Sequence, residues 1–257
     1  MAGILTEFLH LFKPLRHLAK KIYRHRTIRQ QFHGGSIFFN AVDFSFLWTN
    51  YATAEKHDRE IQDCLLQLSN DKALFVDIGA NIGIMTLSVA LRNRNISVRS
   101  YDPNSDILKY LQRSIQTNQL TDRVQLVNAA VSDYEGTAHM NFSKGSYAGH
   151  LASQGTAVKV EHFNTILSDL QQTPTLFKLD VEGFETQLIP ILVGRQNPLH
   201  TFVIEMHPPG LNGISDPDKN LALLLTNGFS VSAASGKRIM SRSQIDNWDN
   251  IVCRYEG

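Results

Sequence analysis

The chain has 257 residues, with 25 Lys and Arg against 24 Asp and Glu, and two cysteines. With 42% hydrophobic and 19% charged residues it has the composition of a folded globular protein. That excludes a wholly disordered chain, a collagen-like fibre and a disulfide-stapled miniprotein. Its length suits one large α/β domain or two small ones, and a net charge of +1 gives no reason to invoke a nucleic-acid partner.

Residues 1–32 carry a charge of +6 and the rest of the chain −5. Within that first segment Leu5, Phe8, Leu9, Phe12, Leu15, Leu18 and Ile22 recur at helical spacing. Residues 1–35 therefore read as a basic amphipathic helical extension ended by Gly34-Gly35, and residues 36–257 as the main domain. Such a helix suits peripheral contact with the anionic inner face of a membrane. It equally suits packing on the domain, or on a second copy in a homodimer, with a solvated basic face. Lys13, Arg16, Lys20 and Lys21 interrupt the apolar residues, which is unlike a secretory leader, and no apolar run reaches bilayer length. Cys64 and Cys253, outside any CxxC or Cys/His spacing, read as reduced structural thiols of a cytoplasmic protein.

The aromatic stretch Phe38, Phe39, Phe44, Phe46, Leu47 and Trp48 reads as short strands or a lid. Residues 54–68 form a helical pattern with Ile61, Leu65 and Leu68 on one side. From Leu74 onward, short β-rich runs at 74–78, 98–101, 124–127, 176–180 and 202–206 alternate with helical runs near 82–92, 104–117, 184–193 and 217–227. That alternation predicts an α/β fold with a mostly parallel sheet covered on both faces. An insert at about 133–172 interrupts it, with strands at 137–142 and 157–163 and a short helix near 164–171. The runs 229–233 and 251–255 have no crossover helix between them, so they are expected to pair antiparallel at the sheet edge.

The most informative stretch is Phe75-Val76-Asp77-Ile78-Gly79-Ala80-Asn81-Ile82-Gly83. A strand ends in a carboxylate, and a glycine-bearing turn opens a helix. Glycines there let the backbone bend and let a ligand approach the main chain. The dinucleotide fingerprint GxGxxG fits poorly, because Asn81 stands where its middle glycine would be. Asp102, 25 positions after Asp77 and at the tip of the next strand, is placed to accept both hydroxyls of a ribose. Read without function, the glycines only make a tight turn and Asp102 only caps the helix that follows.

Lys178-Leu179-Asp180-Val181-Glu182-Gly183 and Glu205-Met206-His207 end the fourth and fifth strands. By the period of two, Lys178, Asp180 and Glu182 share one side, as do Glu205 and His207. Charged residues belong at the carboxyl edge, where open α/β sheets bind ligands. Asp180, Glu182, Glu205 and His207 are therefore candidates for a general base acting on a hydroxyl. A divalent cation is a less favoured use of the same groups, and a cluster of salt bridges and caps is the structural alternative.

Taken together, FVDIGANIG (75–83), YDPN (101–104), NAAVSDYEG (128–136) and KLDVEGFE (178–185) resemble the FkbM family of methyltransferases over roughly residues 54–210. The resemblance implies a Rossmann-like class I methyltransferase fold with a seven-stranded, mostly parallel sheet and an antiparallel edge strand. It implies S-adenosylmethionine as methyl donor and O-methylation of a hydroxyl on a sugar, glycolipid or secondary metabolite. By position it implies donor contacts from Asp77, Gly79, Asn81, Gly83 and Asp102, with Asn128, Ala129 and Ala130 bordering the adenine. It places Asp180 and Glu182 at the reacting centre and carries Glu60 over as a further acid. Asp102 departs from the family's more usual Glu. A nicotinamide-dependent oxidoreductase and a non-catalytic, membrane-docked scaffold are the competing readings.

Overall fold

The computed structural model describes residues 26–42, 53–142, 150–151 and 154–257. It opens with a hairpin of β1 (Thr27–Phe32) and β2 (Gly35–Asn40), joined through His33 and Gly34 at φ +46° and +80°. Two positive φ values match the turn to the twist of the strands. The hairpin corrects one expectation. Residues 27–32 are a strand, because Ile28, Gln30 and Phe32 alternate inward with Arg29 and Gln31 outward and a tight turn follows. Phe32, Ile37 and Phe39 are fully buried, so Phe38 and Phe39 belong to the packed body and not to a lid. Residues 1–25 of the helical extension expected over 1–35, and the aromatics Phe44–Trp48, lie outside the described residues.

A short 3-10 turn (Ala54–Lys56) leads to α1 (Arg59–Leu68). The alternating part then runs β3 (Leu74–Ile78), α2 (Ile84–Arg92), β4 (Ser97–Tyr101), α3 (Ser105–Thr117) and β5 (Val124–Val127). After the insert come β10 (Thr175–Leu179), α5 (Glu185–Gly194), β11 (His200–Glu205), α6 (Pro217–Thr226), β12 (Phe229–Ala233) and β13 (Asn250–Tyr255). The insert itself contributes β6 (Ala130–Ser132), β7 (Gly136–Asn141), β8 (His150–Leu151), β9 (Thr156–His162) and α4 (Phe163–Asp169). Its strands form a separate sheet in the order β6-β9-β7-β8.

The main sheet has seven strands in the order β12-β13-β11-β10-β3-β4-β5. Neighbours from β11 to β5 are parallel, and β13 runs antiparallel to both β11 and β12. The antiparallel strand is thus one in from the edge, inserted between β11 and β12. One face packs Phe75, Leu176 and Val203 on Leu65, Leu87 and Leu111 of α1, α2 and α3. The other packs Val76, Phe177 and Phe202 on Phe163, Leu188 and Leu221 of α4, α5 and α6. The chain leaves β3 toward β4 and β5, then returns to place β10 on the other side of β3. That reversal puts a topological switch point between β3 and β10, where open α/β sheets form their ligand crevice. Among the described residues no helix is long and apolar enough to cross a membrane.

Candidate active site at the switch point

The crevice is there: a cleft opens beyond the strand ends. Gly79, Asn81, Asp102, Ala129, Asp180 and Glu182 are among its lining residues.

The β3 side is built from main chain. Gly79 has φ +87°, and a Cβ there would lie 1.9 Å from the Asp180 carbonyl oxygen. Only glycine lets this loop close on the tip of β10. The Gly79 and Ala80 N–H groups donate to the Tyr101 carbonyl at 3.0 and 2.9 Å, fastening the loop to β4. Asn81 also has a left-handed φ of +54°, which asparagine tolerates better than most residues. Its N–H donates to Asp102 Oδ2 at 2.9 Å, and the Asn104 N–H donates to Asp102 Oδ1 at 2.8 Å. Burial nevertheless lifts the Asp102 carboxyl to about 6 against these two donors.

Three of the residues expected to touch a donor, Asp77, Gly83 and Asn128, do not line the cleft but hold the elements around it. Asp77 is buried and does not line the cleft. It lies on the α1–α3 face of β3, and its carboxylate accepts from Thr86 Oγ1 at 2.6 Å. Thr86 Oγ1 in turn lies 2.6 Å from Ser100 Oγ. Desolvation raises the Asp77 carboxyl, with Lys178 and the Thr86 hydroxyl opposing. Gly83 begins α2 at φ +88°, and a Cβ there would lie 2.2 Å from Leu111 Cδ1, so it serves the close approach of α2 to α3. Asn128 is exposed, and its Nδ2 donates to the Asp102 carbonyl at 2.9 Å. Ala129 and Ala130 do line the cleft. Glu60 lies on the exposed first turn of α1 and does not.

The β10 side is built from side chains. Lys178 Nζ, itself buried, is 2.8 Å from Asp180 Oδ2 and 3.9 Å from Glu205 Oε2. His207 Nε2 lies 3.7 Å from Asp180 Oδ1 and 3.8 Å from Glu182 Oε2, while its Nδ1 is 3.1 Å from Glu185 Oε1. The four expected residues therefore do converge, but in two ranks. Asp180 and Glu182 line the cleft, whereas Glu205 and His207 stand behind them. The reason is the pleat together with the tight turn after β10: Glu182 has φ +55° and swings its side chain toward the opening.

Charge divides the cluster. Desolvation alone would raise the Asp180 carboxyl, but Lys178 outweighs it and holds Asp180 low and ionised. Desolvation and the neighbouring Asp180 charge push Glu182 up to about 7 and Glu205 up to about 8. Burial would depress His207, yet the carboxylates of Glu185, Asp180 and Glu205 win and lift it to about 9. Asp180, Glu205 and His207 offer donor atoms within 4.8 Å of one another. Those are the donor types of a divalent-cation site, with the Lys178 ammonium already against one of them.

Sequence reading passed over two groups of lining residues. Val181, Phe184 and Gln187 follow the fourth strand tip, and Tyr134, Met140 and Phe142 come from the insert, Met140 in β7 and the other two just outside it. The alternation of Ala138 and Met140 inward in β7 was the available signal. Thr86 was also missed; a buried acid needs a donor, and Thr86 is a polar residue in an otherwise apolar turn of α2.

The sequence profile of the methyltransferase FkbM domain matches residues 77–231. No curated protein matched the chain by sequence. Among solved structures, precorrin-6y C5,15-methyltransferase of Geobacter metallireducens is 14% identical, with 78% of this chain and 90% of that one covered and a TM-score of 0.47. TYW2 of M. jannaschii, solved in complex with AdoMet, is 14% identical over 89% of this chain and 84% of that one, with a TM-score of 0.48. A putative caffeoyl-CoA O-methyltransferase of Staphylococcus aureus is 12% identical over 78% and 84%, also with a TM-score of 0.48. The profile leaves out residues 54–76, Glu60 among them, and reaches into β12. It takes in more than half of the chain, and the protein belongs to the methyltransferases with an FkbM domain.

Proposed function

We propose that this protein transfers a methyl group from S-adenosylmethionine to a hydroxyl oxygen of a sugar, glycolipid or secondary metabolite. The observation that carries the reading is that Asp102 and the pair Asp180–Glu182 line one cleft from either side of β3. Two strand spacings, about 10 Å, separate their strands.

The residues suit the donor. Each Asp102 oxygen takes one backbone N–H, which leaves about half the lone-pair sites of the carboxylate for ribose hydroxyls. Ala129, Ala130 and Met140 offer an apolar slot for a flat base, and the turn at Gly79 and Asn81 presents main chain without a bulky side chain. Asp180, kept ionised by Lys178, adds negative charge to the wall, which favours a cationic ligand. When bound, the donor supplies a methyl carbon already activated by its sulfonium.

What remains for the protein is alignment, exclusion of water and acceptance of one proton. An alcohol is a weak nucleophile, so a base near the acceptor oxygen lowers the barrier. Glu182 is the base in this reading: it lines the cleft, and its lift to about 7 matches a proton acceptor working near neutral pH. Asp180 is too firmly ionised for that task, and Glu205 and His207 orient the pair from behind.

Incubation with methyl-labelled S-adenosylmethionine and glycan or lipid extracts, followed by mass analysis, tests the reading. A labelled methyl increment on an oxygen is expected. Transfer to carbon or nitrogen would refute the hydroxyl acceptor, and NAD reduction without methyl transfer would favour the oxidoreductase.

A further inference from the structure

The connection between β12 and β13 holds a residue that neither its backbone nor its packing explains. Trp248 has φ +73°, a region that suits Gly or Asn and strains a bulky side chain. Burial does not account for it, because Trp248 is 51% exposed. The turn is nonetheless fixed firmly to the end of β11. The Trp248 N–H donates to the Met206 carbonyl at 2.8 Å, and the Met206 N–H donates to the Asp249 carbonyl at 2.8 Å. The Asp249 carboxylate accepts from the Asp246 N–H, also at 2.8 Å.

This pinned backbone presents the indole to the acid cluster. Its ring meets that of His207 edge to face, with centroids 5.0 Å apart and planes at 79°. His207 in turn lies within 3.8 Å of both Asp180 and Glu182. The indole does not line the cleft itself but stands one side chain away from the carboxylates that do, with much of its surface open to solvent. A residue that breaks local preference on both counts, one side chain from cleft-lining carboxylates, is ground for a functional hypothesis.

We propose that Trp248 forms a wall of the acceptor subsite and holds the C–H face of a pyranose ring whose hydroxyls reach Glu182. This rests on the methyl-transfer reading above. A pyranose has an apolar C–H face and a rim of hydroxyls, and the site offers the matching pair, a broad aromatic surface next to carboxylate acceptors. An acyl chain would be better served by a continuous apolar groove, and the carboxylates on the far side of His207 would oppose it.

Saturation-transfer-difference NMR on the full chain, with S-adenosylhomocysteine present, tests the subsite. The probes are methyl α-D-mannopyranoside, methyl α-L-rhamnopyranoside and methyl β-D-galactopyranoside, with decanol as the apolar control. At least one glycoside should receive saturation at its ring C–H protons. Its affinity should fall roughly tenfold in Trp248→Gly and in Trp248→Leu, and less in Trp248→Phe. Trp248→Gly should also melt at or above the native temperature, because glycine relieves the turn; the Leu variant decides the question if the Gly variant does not fold. No transfer to any of the three glycosides, equal binding without the indole, or transfer to decanol alone would overturn the subsite. Calorimetry with S-adenosylmethionine separates the two ideas. If the donor binds and the glycosides do not, only the Trp248 subsite falls; if the donor itself does not bind, the methyl-transfer reading falls.

Discussion

At the tips of β3 and β4 the decisive carboxylate is held by nearby main chain, whereas at the tips of β10 and β11 the carboxylates are held by side chains from several elements. Asp102 takes its two donors from the backbone of Asn81 and Asn104. Asp180 depends on the buried ammonium of Lys178 at 2.8 Å, while Glu205 has the same ammonium only at 3.9 Å and Glu182 has His207 at 3.8 Å. The first arrangement is made by the backbone and is in place before any ligand arrives. The second keeps two carboxyls close to their protonation midpoints at neutral pH. The proposed methyl transfer to an alcohol calls for a binding end and a proton-handling end, and the difference between the two regions can be attacked from either side.

The largest effect is expected from Glu182→Gln, which removes the proposed base and keeps its shape. Turnover should fall roughly 10²- to 10⁴-fold with donor affinity nearly unchanged; equal turnover would move the base elsewhere. Next is Lys178→Met, which strips the ammonium from Asp180 and leaves buried acids uncompensated. Urea denaturation should show a loss of about 3–5 kcal/mol, and a loss below about 1 kcal/mol would mean that Lys178 does not organise the cluster. On the binding side, Gly79→Ala places a Cβ against the Asp180 carbonyl. Strain of about 1–3 kcal/mol should cost roughly 10- to 100-fold in donor affinity.

A smaller effect comes from pH. Glu205 is held near 8 and His207 near 9 in the fold, above their ordinary values of 4.5 and 6.5. Both therefore bind a proton more tightly folded than unfolded. That stabilisation is complete below the ordinary values and is lost as pH rises through the folded ones. Denaturation midpoints should decline from about pH 4.5 to 9, and Glu205→Gln should flatten the decline below about pH 8. A rise over that range would contradict the buried cluster. Smallest of all, Glu60→Gln, on an exposed turn, should change stability by less than about 0.5 kcal/mol and leave donor binding intact.

The tips of β3 and β4 were the more legible in sequence for the same reason that main chain builds them. Their determinants are contiguous: a strand, a glycine turn, then an acid at the next strand tip. The alternation of strands and helices also follows from local periodicity, so the parallel core and the convergence of Asp180, Glu182, Glu205 and His207 could be read in advance. Their division into two ranks could not, because it depends on the left-handed turn at Glu182. Asp77 shows a further limit. Adjacency to the glycine loop implied a ligand contact, but strand parity aims its side chain at Thr86. The hairpin at residues 27–40 was hidden by the helical period before it and declared itself only through alternation over six residues. Nothing local predicts β13 between β11 and β12, since its place is set by pairing with residues some fifty positions earlier in the chain.

The most direct test of the account is calorimetric titration of the protein with S-adenosylmethionine, repeated on Asp102→Ala. Binding at one site per chain, weakened at least tenfold by the substitution and not reproduced by NAD, is the predicted result. Absence of binding to the native chain, or equal affinity without the Asp102 carboxylate, would contradict it.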